Sequence, residues 1–156
     1  MNIRYATRED GERVIALLAE IADYHHEGRP DIFKSNFTKY SMEEYYELLT
    51  KKDERILVCE DNGQVIGYAI CQIKEIKDSV VRNDSRYLYL DDLCVTKEKR
   101  RSGAGRALIE AVKKMAAELD CEKVELNVWN FEGSAMDFYE KCGMRPMCTH
   151  MEVYVK

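Results

Sequence analysis

Apolar and polar positions alternate in two rhythms along the 156 residues, and the rhythms predict the elements. Residues 2–6 read as a short strand. Thr7-x-x-Asp10 resembles a capping box and opens a helix of about 8–24, with Val14, Leu17, Leu18 and Ile21 on one face. Gly28, Pro30, Asp31 and Asn36 mark an irregular connection over about 25–40. Ser41-x-x-Glu44 caps a second helix, about 41–51. A strand at 55–60, the turn Asp61-Asn62-Gly63 and a longer strand at about 64–76 form the strongest hairpin signal in the chain. A polar stretch leads to a strand at about 86–95. After basic residues 96–102 comes a helix at about 103–119, with Ala104, Leu108, Val112, Met115 and Leu119 on one face. A strand at about 122–129, a short helix at about 133–142 and a last strand at about 147–155 complete the order β-α-α-β-β-β-α-β-α-β.

That order predicts one α/β (α+β) domain over residues 1–156. Its strand-helix-strand unit, 86–129, suits a parallel crossover, while the hairpin is antiparallel, so the sheet is expected to be mixed. Apolar residues at 46% and charged residues at 34% fit a globular chain. With 24 basic and 29 acidic residues the net charge is −5, which argues against nucleic-acid binding by bulk charge. No apolar run reaches the roughly 18 residues of a membrane span, and the N-terminus lacks a secretory apolar core. A cytoplasmic protein without membrane partners is expected. The six cysteines stand singly, mostly in apolar runs, as small buried thiols do in a reducing compartment. No C-x-x-C pair occurs and His25-His26 has no spaced third ligand, so no metal is expected.

Three stretches carry candidate chemistry. Arg100-Arg101-Ser102-Gly103-Ala104-Gly105 joins a strand to a helix. Its glycines allow a tight turn and close ligand approach, and the first-turn amides of the helix point into the same space. Lys97, Lys99, Arg100, Arg101 and Arg106 surround it. On spacing alone this is either a pyrophosphate cradle or an ordinary helix start with a solvated basic rim. The third glycine of a dinucleotide loop is absent, because position 108 is Leu, and so is the Gly-Lys-Ser/Thr of a Walker loop. Tyr139 follows Phe138 on the short helix, turned away from the core side that Ala135, Phe138 and Cys142 share. Taken alone, it reads most simply as a packing tyrosine. Asp91-Asp92 interrupts an apolar strand. Neighbours in a regular strand face opposite sides, so one carboxylate meets a covered face. The pair otherwise marks a bulge, or an edge with both carboxylates wet.

Residues 87–145 resemble the GCN5-related N-acetyltransferase superfamily. Leu93-Cys94-Val95 followed by Arg100 through Gly105 matches one of its motifs. Ala135 through Gly143 matches its Ala-x-x-Phe-Tyr-Glu-Lys-x-Gly without a gap, and Ile3 through Asp10 resembles its opening. The resemblance implies that Arg100, Arg101, Ser102, Gly103, Ala104, Gly105 and Arg106 cradle the pyrophosphate of acetyl-CoA. Leu93, Cys94 and Val95 would pair with its pantetheine arm in a notch where the sheet splays. Tyr139 would protonate the leaving thiolate, and Asp91 or Asp92 would deprotonate an amine, through water. Asp91 matches the acid of the diamine-acetyltransferase branch. Glu132 stands where the superfamily usually has a cofactor-contacting Asn, for which Asn130 is a candidate replacement. Asn127 occupies the position of the ribosomal-protein branch's base and cannot serve as one.

The substrate wall implied by the resemblance takes in Glu20, Asp23, Tyr24, His25, His26, Glu27, Asp31, Phe33 and Tyr40 to Tyr46. Its acids and aromatics suit a small cationic amine. A protein N-terminus or lysine as acceptor, and an acyl-CoA-binding module without catalysis, are the alternatives. Many members pair as homodimers.

Overall fold

The computed structural model describes all residues 1–156. The chain forms nine principal elements: β1 (Asn2–Tyr5), α1 (Gly11–Gly28), α2 (Met42–Thr50), β2 (Glu54–Asp61), β3 (Gln64–Ile76), β4 (Ser85–Val95), α3 (Ala104–Glu118), β5 (Val124–Glu125) and α4 (Met136–Lys141). Short 3-10 turns at Arg8–Asp10 and Lys97–Lys99 precede α1 and α3. The strands lie in one mixed sheet in the order β1-β2-β3-β4-β5. The first four pair antiparallel, and β5 pairs parallel to β4.

Alternation along the strands divides the core in two. Val58, Tyr68, Ile70 and Cys94 face α1 and α2 and meet Val14, Leu17, Leu18, Tyr45 and Leu48. Leu57, Cys59, Ala69, Cys71, Leu88 and Leu90 face the other way, onto Leu108, Ile109, Val112 and Met115 of α3. The predicted helix faces are the buried ones. Asn62 and Gly63 take φ of 50° and 77°, as a two-residue hairpin turn demands.

Three outcomes differ from the sequence reading. Helix α1 continues to Gly28, so the connection to α2 starts at Arg29. The predicted strand 122–129 is reduced to Val124–Glu125, because β4 and β5 pair only at Leu88–Val124 and Tyr89–Glu125 and then diverge. The predicted strand 147–155 is absent. Residues 145–156 are exposed throughout and make no main-chain to main-chain hydrogen bond, so their alternation finds no neighbouring edge within the chain. Five of the six cysteines are buried, Cys148 is exposed, and all are free thiols.

Candidate active site

The divergence of β4 from β5 creates the site. β3 pairs with β4 through Val95, but β5 pairs with it no further than Tyr89. The edge of β4 from Leu90 to Val95 that faces β5 is therefore open to main-chain pairing with an extended ligand. Leu93, Cys94 and Val95 lie on this edge.

At the mouth of the notch the β3–β4 register slips. Ile70 pairs with Asp92 and Cys71 with Leu90, which leaves Asp91 as the extra residue of a bulge. The bulge decides among the readings of the acidic pair, because it turns both carboxylates toward the α1–α2 side instead of opposite ways. One ammonium reaches both. Lys39 Nζ is 2.8 Å from Asp91 Oδ2 and 4.0 Å from Asp92 Oδ2. Tyr40 donates its hydroxyl to Asp91 Oδ2 at 2.8 Å.

The two acids have different surroundings. The Asp91 side chain is 24% exposed and that of Asp92 only 9%. Burial pushes the Asp92 carboxyl up to about 6, against the opposing pull of the Lys39 ammonium. Beside it lies Tyr68, fully buried, its hydroxyl raised by the same burial and by the Asp92 charge, and without a well-formed hydrogen bond. A carboxyl that changes charge near neutrality, next to a notch, is placed to accept a proton.

Tyr139 sits on α4 with its ring 5.2 Å from that of Phe138. Burial, and secondarily the negative charge of Asp92, raise its hydroxyl well above the ordinary value. It is protonated at neutral pH, as a proton donor must be. Helix α4 is held by α3. Arg106 Nη2 donates to Lys141 O at 2.9 Å, and Lys113 Nζ donates to Cys142 O at 2.7 Å. A Cβ on Gly105 would lie 3.1 Å from the Phe138 ring, so the missing side chain lets the two helices meet. Arg106 and Gly105, both read as cradle residues, thus also position Tyr139.

The loop Arg100–Gly105, read from sequence as a cradle, is a turn with two left-handed residues. Arg101 has φ of 63°, and Gly103, at the N-cap of α3, has φ of 92°. The amides of Gly103, Gly105 and Arg106 bond to no main-chain acceptor, whereas the Ala104 amide approaches Ser102 Oγ at 3.4 Å. These donors stand at the positive end of α3. Arg101 is exposed, and Arg100 lies 5.8 Å over the Tyr24 ring. Lys99 is paired with Asp61. Glu20, assigned by sequence to the substrate wall, instead binds Thr96 Oγ1 and the Lys97 amide and fixes the strand exit. Asn130 is exposed, with no side-chain hydrogen bond that would assign it a role.

An aromatic wall flanks the notch. Tyr24 donates to Gly133 O at 2.6 Å and packs on Phe131 with centroids 5.3 Å apart. His25 stacks on Phe33 at 5.1 Å, and Trp129 meets the same ring edge-on at 4.9 Å. Burial lowers the His25 pKa, so the imidazole is neutral at neutral pH. Sequence reasoning missed Lys39 and Tyr68. Lys39 belongs to an irregular loop with no periodicity to place it, and Tyr68 reads as one more apolar strand residue. Nothing local signals that either one meets the acidic pair.

Comparisons with known proteins agree with this geometry. The family model of the Acetyltransferase (GNAT) family matches residues 8–144. The uncharacterized N-acetyltransferase YhfO of Bacillus subtilis (strain 168) is 27% identical over 143 residues, 92% of this chain and 89% of the relative. N-alpha-acetyltransferase 60 of Xenopus tropicalis is 28% identical over 109 residues, 62% of this chain and 45% of the relative, so the chain spans less than half of that protein. The crystal structure of a mutant BH1408 protein from Bacillus halodurans superposes with a TM-score of 0.95 at 27% identity, covering 100% of both chains, C-terminal segment included. A splayed mixed sheet, a glycine-turned helix start beside it and a family match across most of the sequence lead to one assignment: the chain belongs to the Acetyltransferase (GNAT) family.

Proposed function

We propose that this acetyltransferase uses acetyl-CoA as donor and the amine of a small cationic molecule as acceptor. The observation that carries the acceptor class is Lys39. Its ammonium rests on Asp91 in front of buried Asp92, and Tyr40 donates to the same Asp91 oxygen. A carboxylate pair that attracts one ammonium from a loop suits another brought by a substrate, and the nearby aromatic rings favour cations further.

Acetyl-CoA supplies an activated acyl thioester. The open edge of Leu90 to Val95 offers main-chain groups to its extended arm, and the free amides around Gly103 offer donors to its pyrophosphate. An acceptor ammonium has a pKa near that of Lys, about 10.4, and must lose a proton before it attacks. In this reading Asp92 takes that proton, directly or through water, while Asp91 holds the charge of the incoming ammonium. Tyr139 gives its proton to the departing sulfur. The reaction passes through no acyl-cysteine, since burial pushes the Cys94 thiol up to about 12 and leaves it without thiolate character.

The test is release of free CoA thiol from acetyl-CoA over a panel of diamines, polyamines, aminosugars, neutral amines and peptides. Turnover with multiply charged small amines above neutral amines and peptides is the expected result. Turnover with peptides alone would transfer the assignment to a protein acceptor, and no turnover with any amine would reject the enzyme reading.

A further inference from the structure

Lys39 brings a primary amine of the chain itself to the place where an acceptor amine has to be. It lies two residues ahead of Ser41, the N-cap of α2, and the residues that follow it are fixed. Tyr40 donates to Asp91 Oδ2, and Ser41 and Glu44 bond reciprocally at the start of the helix. From this anchor the Lys39 side chain crosses the Tyr40 ring, with Nζ 5.6 Å from its centroid. Nζ ends 2.8 Å from Asp91 Oδ2, 4.0 Å from Asp92 Oδ2 and 3.5 Å from the Asp91 main-chain oxygen. It therefore lies against the bulge of β4, at the mouth of the notch.

No other lysine is placed in this way. Lys77, Lys99, Lys113, Lys114 and Lys123 each pair with a single carboxylate, and none of these is Asp91 or Asp92. Tying the loop to β4 does not require the Lys39 ammonium, because the Tyr40 hydroxyl already makes that tie. The Lys39 side chain is also 41% exposed, and an ion pair so open to water contributes at most about 1 kcal/mol. Its nitrogen is held near the two acids but is free to swing along β4 by rotation of its stem. A tethered amine so close to the reacting centre has a large advantage over one that must arrive from solution.

With acetyl-CoA as donor, as proposed above, we infer that Lys39 is an acetyl acceptor within its own chain and that its acetylation uncovers the acidic pair for other amines. The Lys39 ammonium gives one proton to the Asp92 carboxylate, and the freed nitrogen adds to the thioester carbonyl. The N–C bond forms and the C–S bond breaks. The sulfur leaves with the proton of Tyr139, and the second proton released by the nitrogen restores that hydroxyl. The products are N-acetyl-Lys39, the CoA thiol and one proton, which passes from Asp92 to water. The amide nitrogen is neutral, so Asp91 and Asp92 lose their resident cation. The modified chain should then resemble Lys39→Met, with a several-fold lower KM for cationic amines than the unmodified chain.

The full chain, incubated with acetyl-CoA and no added amine, tests this by intact mass and peptide mapping. One acetyl group on Lys39 is expected, at a rate per molecule that does not change when the protein is diluted. Lys114 is 80% exposed and remote from the notch, and it reports direct chemical acylation. Lys39 should be modified about tenfold or more faster than Lys114, and Asp92→Asn should slow Lys39 by about as much while leaving Lys114 unaffected. Modification of Lys39 no faster than that of Lys114 overturns the proposal. So does a rate that rises with protein concentration, which would place the reaction between molecules, and so does an unchanged KM in the modified chain. Turnover of small amines with Lys39 unmodified rejects the proposal and keeps the proposed function. Modified Lys39 without small-amine turnover keeps Lys39 as the acceptor and rejects the small-amine reading, so the two fail separately.

Discussion

Replacing Asp92 by Asn should make the protein more stable and less active. The buried carboxyl is held at about 6 against an ordinary 3.8, chiefly because burial penalises its charged form. A rise of that size corresponds to about 3 kcal/mol, at about 1.4 kcal/mol per pH unit. The folded chain binds this proton more tightly than the unfolded chain. The stability it carries is therefore complete below about pH 4 and is lost as the pH climbs through about 6. At pH 8 the carboxylate is charged in both states and the full penalty applies. Asn is of similar size, carries no charge, and can bond to Tyr68. Urea unfolding of the Asp92→Asn variant should give a gain of about 2–3 kcal/mol at pH 8 and a much smaller difference near pH 4. The same variant should lose most of its acetyl transfer, and wild-type activity should rise with pH through about 6. A variant destabilised equally at both pH values would refute the reasoning, since Asp92 would then be a structural acceptor whose charge the fold uses. A stabilised variant with undiminished turnover would leave the electrostatics intact and remove Asp92 from the chemistry.

Tyr139→Phe should lower turnover about a hundredfold or more, the usual scale for a lost acid, with CoA affinity within a few-fold by calorimetry. The reverse pattern would make Tyr139 a packing residue. Gly103→Val places a β-branched residue at φ of 92°, a conformation that costs about 1–3 kcal/mol. The nearest atom to the new Cβ is Met1 Cε at 4.0 Å, so strain alone is expected. A folded protein with CoA affinity reduced at least tenfold is the expected result, and unchanged affinity would contradict the cradle. Lys39→Met removes the ammonium that competes for Asp91 and pulls on Asp92, so KM for cationic amines should fall several-fold and the rise of activity with pH should move to higher pH. A higher KM would show that Lys39 contributes to acceptor binding.

Sequence disclosed what depends on neighbours along the chain. The apolar faces of α1 and α3, the Asn62-Gly63 hairpin and the left-handed Gly103 all follow from local spacing and backbone sterics, and the structure has each of them. It disclosed less where the outcome depends on what lies across a gap. The predicted strand at 122–129 contracts to two residues because β4 turns away, which no property of residues 126–129 announces. The strand at 147–155 has the composition and alternation of a strand but no edge in its own chain. Propensity describes a segment, whereas pairing requires a second segment in reach. Lys39 and Tyr68 were hidden for the same reason, since each enters the site by meeting Asp91 or Asp92 from a distant element.

The acidic pair shows how one local irregularity can organise such a site. In a regular strand Asp91 would lie opposite Asp92, one carboxylate against α3 and the other against α1. The register slip between Ile70 and Cys71 removes that choice. It gives both acids one face, near the point where pairing with β5 ends and the edge of β4 opens. The acids then diverge in environment through depth alone. Asp91 stays within reach of the Tyr40 hydroxyl and of water, while Asp92 sinks beside Tyr68 and becomes a weak acid. A carboxylate at the surface of the notch suits an incoming ammonium, and a buried one whose pKa is raised suits a proton acceptor. Two identical side chains thus acquire different environments from a single extra residue in β4. Deleting Leu90 would restore regular pairing and set Asp91 opposite Cys71, in the α3 core, where a bare charge has no partner.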